Sequence, residues 1–257
     1  MISKRIIPCL LLDNERVVKT TKFAKPSYVG DPINAVKIFN EKEVDELIII
    51  NISQACNDQS ELIAYLADVV SEAFMPITYG GLVDSLDFAA KLYRIGIEKI
   101  MVRRMALINP NEVNEISAIF GAQAISICLD VRRDWRGRYL AGVHGSSGNQ
   151  MVPLQDALDF INRLNFGELV VNNVDRDGTL IGLDHKLISL LAKNTCVPLL
   201  AIGGTNSFED IRLAFSNGAD AVVAGAFLVY RGVHKAVLLS YPTQDEINQI
   251  LLGRILK

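Results

Sequence analysis

"MPITYGGLVDSLDFAAKLYRIGIEKIMV" (residues 75–102) and "VPLLAIGGTNSFEDIRLAFSNGADAVVA" (residues 197–224) are two copies of one pattern, 122 residues apart. Each copy opens on a short apolar run, turns at Gly-Gly, continues with apolar residues three and four apart, and closes on a second apolar run. That order reads as strand, glycine turn, amphipathic helix, strand. "DELIIINIS" from Asp45 and "GELVVNNVD" from Gly167 keep the same spacing, and the first strands, aligned at Cys9 and Cys128, are 119 apart. Runs of this kind occupy residues 5–12, 46–52, 76–79, 99–102, 124–130, 168–172, 198–202 and 220–224. They are nearly continuous in apolar residues, as parallel strands covered on both faces are. Eight strand–helix units predict an α/β fold, a single (β/α)8 barrel over residues 1–257. The duplication makes it two half-barrels, about 1–120 and 121–240, closed by an amphipathic helix at 243–257 capped near Thr243. Four parallel strands alone would leave open edges, so the halves are read as one unit. Asp31 followed by Pro32 predicts a helix cap and first-turn proline.

Composition narrows the function classes. The net charge is −3, which supplies no general pull toward nucleic acid or anionic membrane. No apolar stretch reaches the roughly 18–20 residues of a membrane helix, and "MISKRIIPCLLLDNE" reads as a first strand, not a signal peptide. Cys9, Cys56, Cys128 and Cys196 match neither a zinc pattern nor a disulfide framework and are expected as reduced, buried thiols of a cytoplasmic protein. His144, His185 and His234 lack metal-ligand spacing and are expected in loop or surface roles; no metal and no cofactor is expected.

In such barrels the chemistry gathers at the C-terminal ends of the strands. "DRDGT" (Asp175–Thr179), "GGTNS" (Gly203–Ser207) and "AGAF" (Ala224–Phe227) follow strand-like runs six, seven and eight. Glycine loops let backbone amides approach an anion, so Asp177, Gly178, Thr179, Gly203, Gly204, Gly225 and Ala226 are predicted to bind phosphate. In the first half Arg103 and Arg104 stand where the second has Gly225 and Ala226, and are read either as an anion grip or as a solvated rim. Residues 13–30, long for a connection of this kind, are read as a lid. "RRDWRGRY" after Asp130 is read as a hairpin turning at Arg136-Gly137.

"KRIIPCL" followed by "RVVK", then "GDP", "DEL", "GG", the Asp130 strand, "DRDGT", "GG" and "GADA" in this order resemble the cyclase subunit of imidazole glycerol phosphate synthase. The resemblance spans essentially the whole chain. It implies a barrel that takes ammonia from a glutaminase partner at its N-terminal face and uses it to split and cyclise a two-phosphate aminoaldose in histidine biosynthesis. Of the family's two acid–base aspartates, the second matches Asp130 and the first falls on Leu11, which cannot transfer a proton. Asp13 is then the candidate substitute, and Lys19 is retained. The first-half phosphate site departs at Leu82 and at Arg103-Arg104, and Asn51 stands where the family has an aspartate. The charged ammonia entrance is matched in full by Arg5, Glu46, Lys99 and Glu168. Retained entrance and altered cyclase site together resemble a divergent branch serving an ATP-dependent sugar amidotransferase that forms acetamidino sugars for surface polysaccharide. An authentic histidine-pathway cyclase is the alternative, and a phosphosugar isomerase of the related doubled-barrel type is a third reading.

Overall fold

In the computed structural model, which describes residues 4–53, 58–143, 150–232 and 234–252, the eight expected strands close a barrel. They are β1 (Arg5–Asp13), β4 (Leu47–Asn51), β5 (Ile77–Gly80), β6 (Lys99–Val102), β7 (Ile125–Arg133), β10 (Glu168–Asn173), β11 (Leu199–Ile202) and β12 (Ala221–Ala224). All neighbours are parallel, and β12 pairs with β1 to shut the cylinder. The outer layer includes α1 (Pro32–Glu41), α2 (Gln59–Ser71), α3 (Leu86–Arg94), α5 (Pro110–Phe120), α6 (Leu154–Ile161), α7 (His185–Ala192) and α8 (Phe208–Ser216). Short α4 (Arg104–Ile108) and α9 (Ala226–Val229) follow β6 and β12, and α10 (Gln244–Leu251) ends the described chain.

Two apolar layers hold the barrel. Helix residues such as Phe39, Leu66, Phe88, Leu92 and Ile116 bury against the outer strand faces. A second cluster fills the bore: Ile7, Cys9, Ile48, Met101, Cys128, Val170, Leu200 and Val223. The period-2 alternation of each strand sends one set outward and the other inward. Cys9 and Cys128 are therefore buried thiols, while Cys196 is exposed because it lies in the connection before β11; Cys56 lies outside the described residues.

The duplication is written in the backbone. Gly81 and Gly203 take φ of 106° and 105°, and Gly96 and Gly218 both take 101°. Ser85 and Ser207 cap α3 and α8 with their side chains. The Glu98 and Asp220 carboxylates accept the Ile77 and Leu199 amides at 2.7 and 3.0 Å.

Residues 13–30 differ from the expected lid. β1 runs past the barrel rim, turns at Asn14-Glu15 with φ of 44° and 62°, and pairs antiparallel with β2 (Arg16–Thr21), which pairs with β3 (Ala24–Gly30). Two consecutive positive φ values make the tight turn whose twist suits a hairpin. In the second half β7 likewise runs on into β8 (Tyr139–Val143) and β9 (Gln150–Pro153), through the expected turn at Arg136-Gly137. Asp31 and Thr243 cap α1 and α10 as expected. Residues 253–257 of the expected tail helix, and His144, lie outside the described residues. Among the described residues no helix is long and apolar enough to cross a membrane.

Candidate functional site

The three second-half loops meet at the C-terminal mouth. Gly203, Gly204 and Thr205 after β11, and Gly225 and Ala226 after β12, form one wall of a cleft. Lys19 and Thr20 of β2, with Asp177 and Gly178 after β10, form the other, and Cys9 and Leu11 lie at its floor. Glycine is required on steric grounds at Gly203, and at Gly225 a side chain would displace Lys19. A Cβ on Gly203 would lie 2.7 Å from the Asn173 carbonyl oxygen, and one on Gly225 would lie 2.9 Å from the Lys19 ammonium. Thr179, expected in this set, spends its hydroxyl on the Arg176 carbonyl at 2.6 Å, within its own turn.

Lys19 is 5% exposed, donates to the Cys9 carbonyl, and burial pulls its pKa below the ordinary lysine value. Burial pushes the neighbouring Asp177 carboxyl up to about 6; Lys19 counters that rise and Asp130 adds to it. The Thr205 side chain is buried on the cleft wall, and its hydroxyl has no hydrogen-bond partner among the described residues. An amide-rich wall, a buried cation and an unspent hydroxyl are the components of an anion site. Thr205 was legible only as part of "GGTNS"; nothing in its spacing separates it from its neighbours.

Asp130 is fully buried at the mouth, one register step from the apolar bore. Arg103 donates to its Oδ2 at 2.8 Å, and Asn172, paired with it across β10, donates to Oδ1 at 3.2 Å. Arg103 therefore reaches inward to a carboxylate, while Arg104, the first residue of α4, is exposed. Leu11, the counterpart of Asp130, is half-buried. Asp13 lies at the β1–β2 turn, accepts from Nδ2 of the Asn14 side chain at 3.0 Å, and is not among the residues lining the cleft. One residue pair along a strand is about 6–7 Å, too far for Asp13 to deliver a proton where Leu11 ends. Asn51 is buried and caps the turn after β4, accepting the Ser53 amide at 2.9 Å. His185 contacts the Asp210 carboxylate at 2.8 Å between α7 and α8, and His234 is exposed.

At the opposite end the four charged strand-start residues form one ring. Arg5 donates to Glu46 at 2.6 Å and to Glu168 at 2.8 Å; Lys99 donates to Glu46 at 3.0 Å and to both Glu168 oxygens at 3.1 Å. Thr78 and Ser126 supply further hydroxyl donors to Glu46 and Glu168 at 2.9 and 3.1 Å. Each cation thus bridges both carboxylates, with the carboxylates themselves nearly buried. Burial raises the Glu168 pKa, but Lys99 and Arg5 outweigh it and hold the carboxyl below its ordinary value.

A profile of the family described as histidine biosynthesis protein matches residues 5–235. A Pseudomonas aeruginosa protein provisionally named imidazole glycerol phosphate synthase subunit hisF2 is 39% identical over 98% of this chain and 100% of its own length. A similarly provisional HisF subunit from Leptospira interrogans is 34% identical over 96% of this chain and 98% of its own. The imidazole glycerol phosphate synthase subunit HisF of Thermotoga sp. (strain RQ2) is 30% identical over 98% and 100%. Matched from end to end at this identity, the chain belongs to the histidine biosynthesis protein family and is HisF-like.

Proposed function

We propose that this HisF-like barrel is the ammonia-receiving subunit of a glutamine-dependent amidotransferase system, binding a phosphorylated ligand at its C-terminal mouth while its own cyclase chemistry is lost. The observation that carries the reading is the closed ring of Arg5, Glu46, Lys99 and Glu168 beneath an apolar bore. Charges at a barrel mouth are costly to bury unless each is paired and hydrogen-bonded, so a complete ring argues for a role beyond packing. Neutral ammonia can pass between the apolar side chains of Ile7, Ile48, Val170 and Leu200 as they shift, whereas ammonium would lose its hydration there. The ring then acts as an entrance that a glutaminase docked on the N-terminal face opens. The relatives' names, which speak of a subunit, agree with such a partner.

Cyclase chemistry by the family route needs two proton-transfer groups across the mouth. Leu11 supplies none, and Asp130 is held by Arg103 in an ion pair. The resemblance to the divergent branch then puts the use of the ammonia in an ATP-dependent sugar amidotransferase that turns an acetamido into an acetamidino group. The test is to mix the purified chain with the candidate glutaminase from the same genome. A stable complex with raised glutaminase activity is expected, together with blank-level turnover of the aminoaldose substrate when ammonia is supplied directly. No complex and unchanged glutaminase activity would remove the basis of the proposal, and cyclase turnover would return the chain to histidine biosynthesis.

A further inference from the structure

Because the two half-barrels share a backbone, they offer the same anion cradle twice, and their side chains can be compared position by position. In the second half Gly203 and Gly204 take φ of 105° and 100°; in the first, Gly81 and Leu82 take 106° and 59°. Gly225 has φ −99° and ψ −90°; its counterpart Arg103 has φ −123° and ψ −73°. The peptide path is thus retained in both halves. What fills it is not. The Gly204 position carries an isobutyl group, and the Gly225 position carries a guanidinium tied to Asp130 at 2.8 Å. The cation differs as well. Val18 pairs with Leu11 and Gly142 pairs with Asp130, so the residue matching Lys19 in the second hairpin is Val143. One cradle therefore has glycines, a buried ammonium and the unspent Thr205 hydroxyl. The other has leucine, a committed arginine and valine at the same positions.

We propose that the C-terminal mouth accepts a ligand with a single phosphate monoester, docked in the second-half cradle, and that the first-half cradle, with Leu82 in place of a glycine and Arg103 spent on Asp130, takes no second phosphate. The inference deepens the functional reading above and rests on its anion cradle. Arg103 is here not a phosphate ligand: its charge is spent on Asp130. A sugar bearing one phosphate fits, and a bisphosphate gains nothing from its second group beyond the statistical advantage of docking by either end.

The experiment is calorimetric titration of the full chain with inorganic phosphate, ribose 5-phosphate and ribulose 1,5-bisphosphate, repeated on Thr205→Val and Arg103→Ala. Wild type is expected to bind the two sugar phosphates within about threefold of each other. Thr205→Val should weaken both by the same factor, at least about fivefold, because both use the same cradle, and Arg103→Ala should leave their ratio unchanged. A tenfold or greater bisphosphate preference in wild type that falls in Arg103→Ala would show the guanidinium gripping a second phosphate and overturn the inference alone. If none of the three ligands binds, the cradle itself is refuted and the inference goes with it, while complex formation with a glutaminase remains a separate result.

Discussion

Asp177 is a mouth carboxyl whose protonation responds on the acid side of neutral, because burial pushes its pKa from 3.8 up to about 6. A raised carboxyl pKa means the folded chain keeps a proton that the unfolded chain has already lost between about pH 4 and 6. Stability therefore declines as pH rises through that window and levels off above it. Two pKa steps correspond to about 2–3 kcal/mol. Asp177→Asn should recover roughly that amount at pH 8 and almost none at pH 4, read by urea unfolding at both values; an equal effect at both would show that the carboxyl is not strained by burial. At this scale the glycines were legible, since close backbone approach leaves a residue type in the sequence, whereas Lys19 entered only through the family resemblance. The Arg103–Asp130 pair was not legible. It joins the end of β6 to the end of β7, and nothing in "VRRMA" says whether the first arginine turns out to solvent or in to the bore.

The elements show where pattern reading works and where it stops. The barrel strands announce themselves as unbroken apolar runs, whereas β2 and β3 were read as a loop. Their turn uses Asn14-Glu15 at positive φ, without the glycine that signals a tight hairpin. β3 is mostly exposed, so it has no apolar stripe to read. The hairpin is held in place by the loop after β10: the Lys22 amide donates to the Asp177 carbonyl at 3.0 Å, and Gly178 packs against the Thr20 backbone. Gly178 has φ 68°, and a Cβ there would drive into the Thr20 carbonyl oxygen. Gly178→Ala should thus cost about 2 kcal/mol or more and weaken phosphate binding, because the cleft wall separates from β2. Gly137 has a similar φ of 78° but open space around it, so Gly137→Ala should cost only about 1 kcal/mol and leave binding intact. Equal losses in chemical denaturation would mean that the left-handed backbone, and not the contact with β2, sets the cost.

Across the whole molecule, the two ends of the barrel make opposite uses of charge. At the mouth a cation and a carboxyl stay only partly compensated, leaving Lys19 and Thr205 available to a ligand; at the base four charges satisfy one another. The sequence placed all four at strand starts, but that position alone cannot distinguish a ring from solvent-facing ends. Closure brings β1, β4, β6 and β10 to one circle, and the side chains meet there. The carboxylate side chains are 5% and 10% exposed, so solvent screens the ring weakly. Arg5→Met should therefore cost about 3–5 kcal/mol at pH 7, since it leaves two buried carboxylates to share Lys99. Glu168→Gln in the same chain should restore part of that loss, because the surviving charges then balance as one cation and one anion. The sign with pH follows from Glu168, whose pKa the cations depress. Its contribution is present above the ordinary carboxyl range and disappears as pH falls through the lowered value. The stability gap between wild type and Arg5→Met should accordingly narrow in acid as Glu168 takes up a proton. Unfolding curves of the three proteins at pH 7 and pH 3 test the ring directly: a small loss at pH 7, or a double variant no better than the single one, would mean that the four charges stand independently in water and that the base of the barrel is not a closed gate.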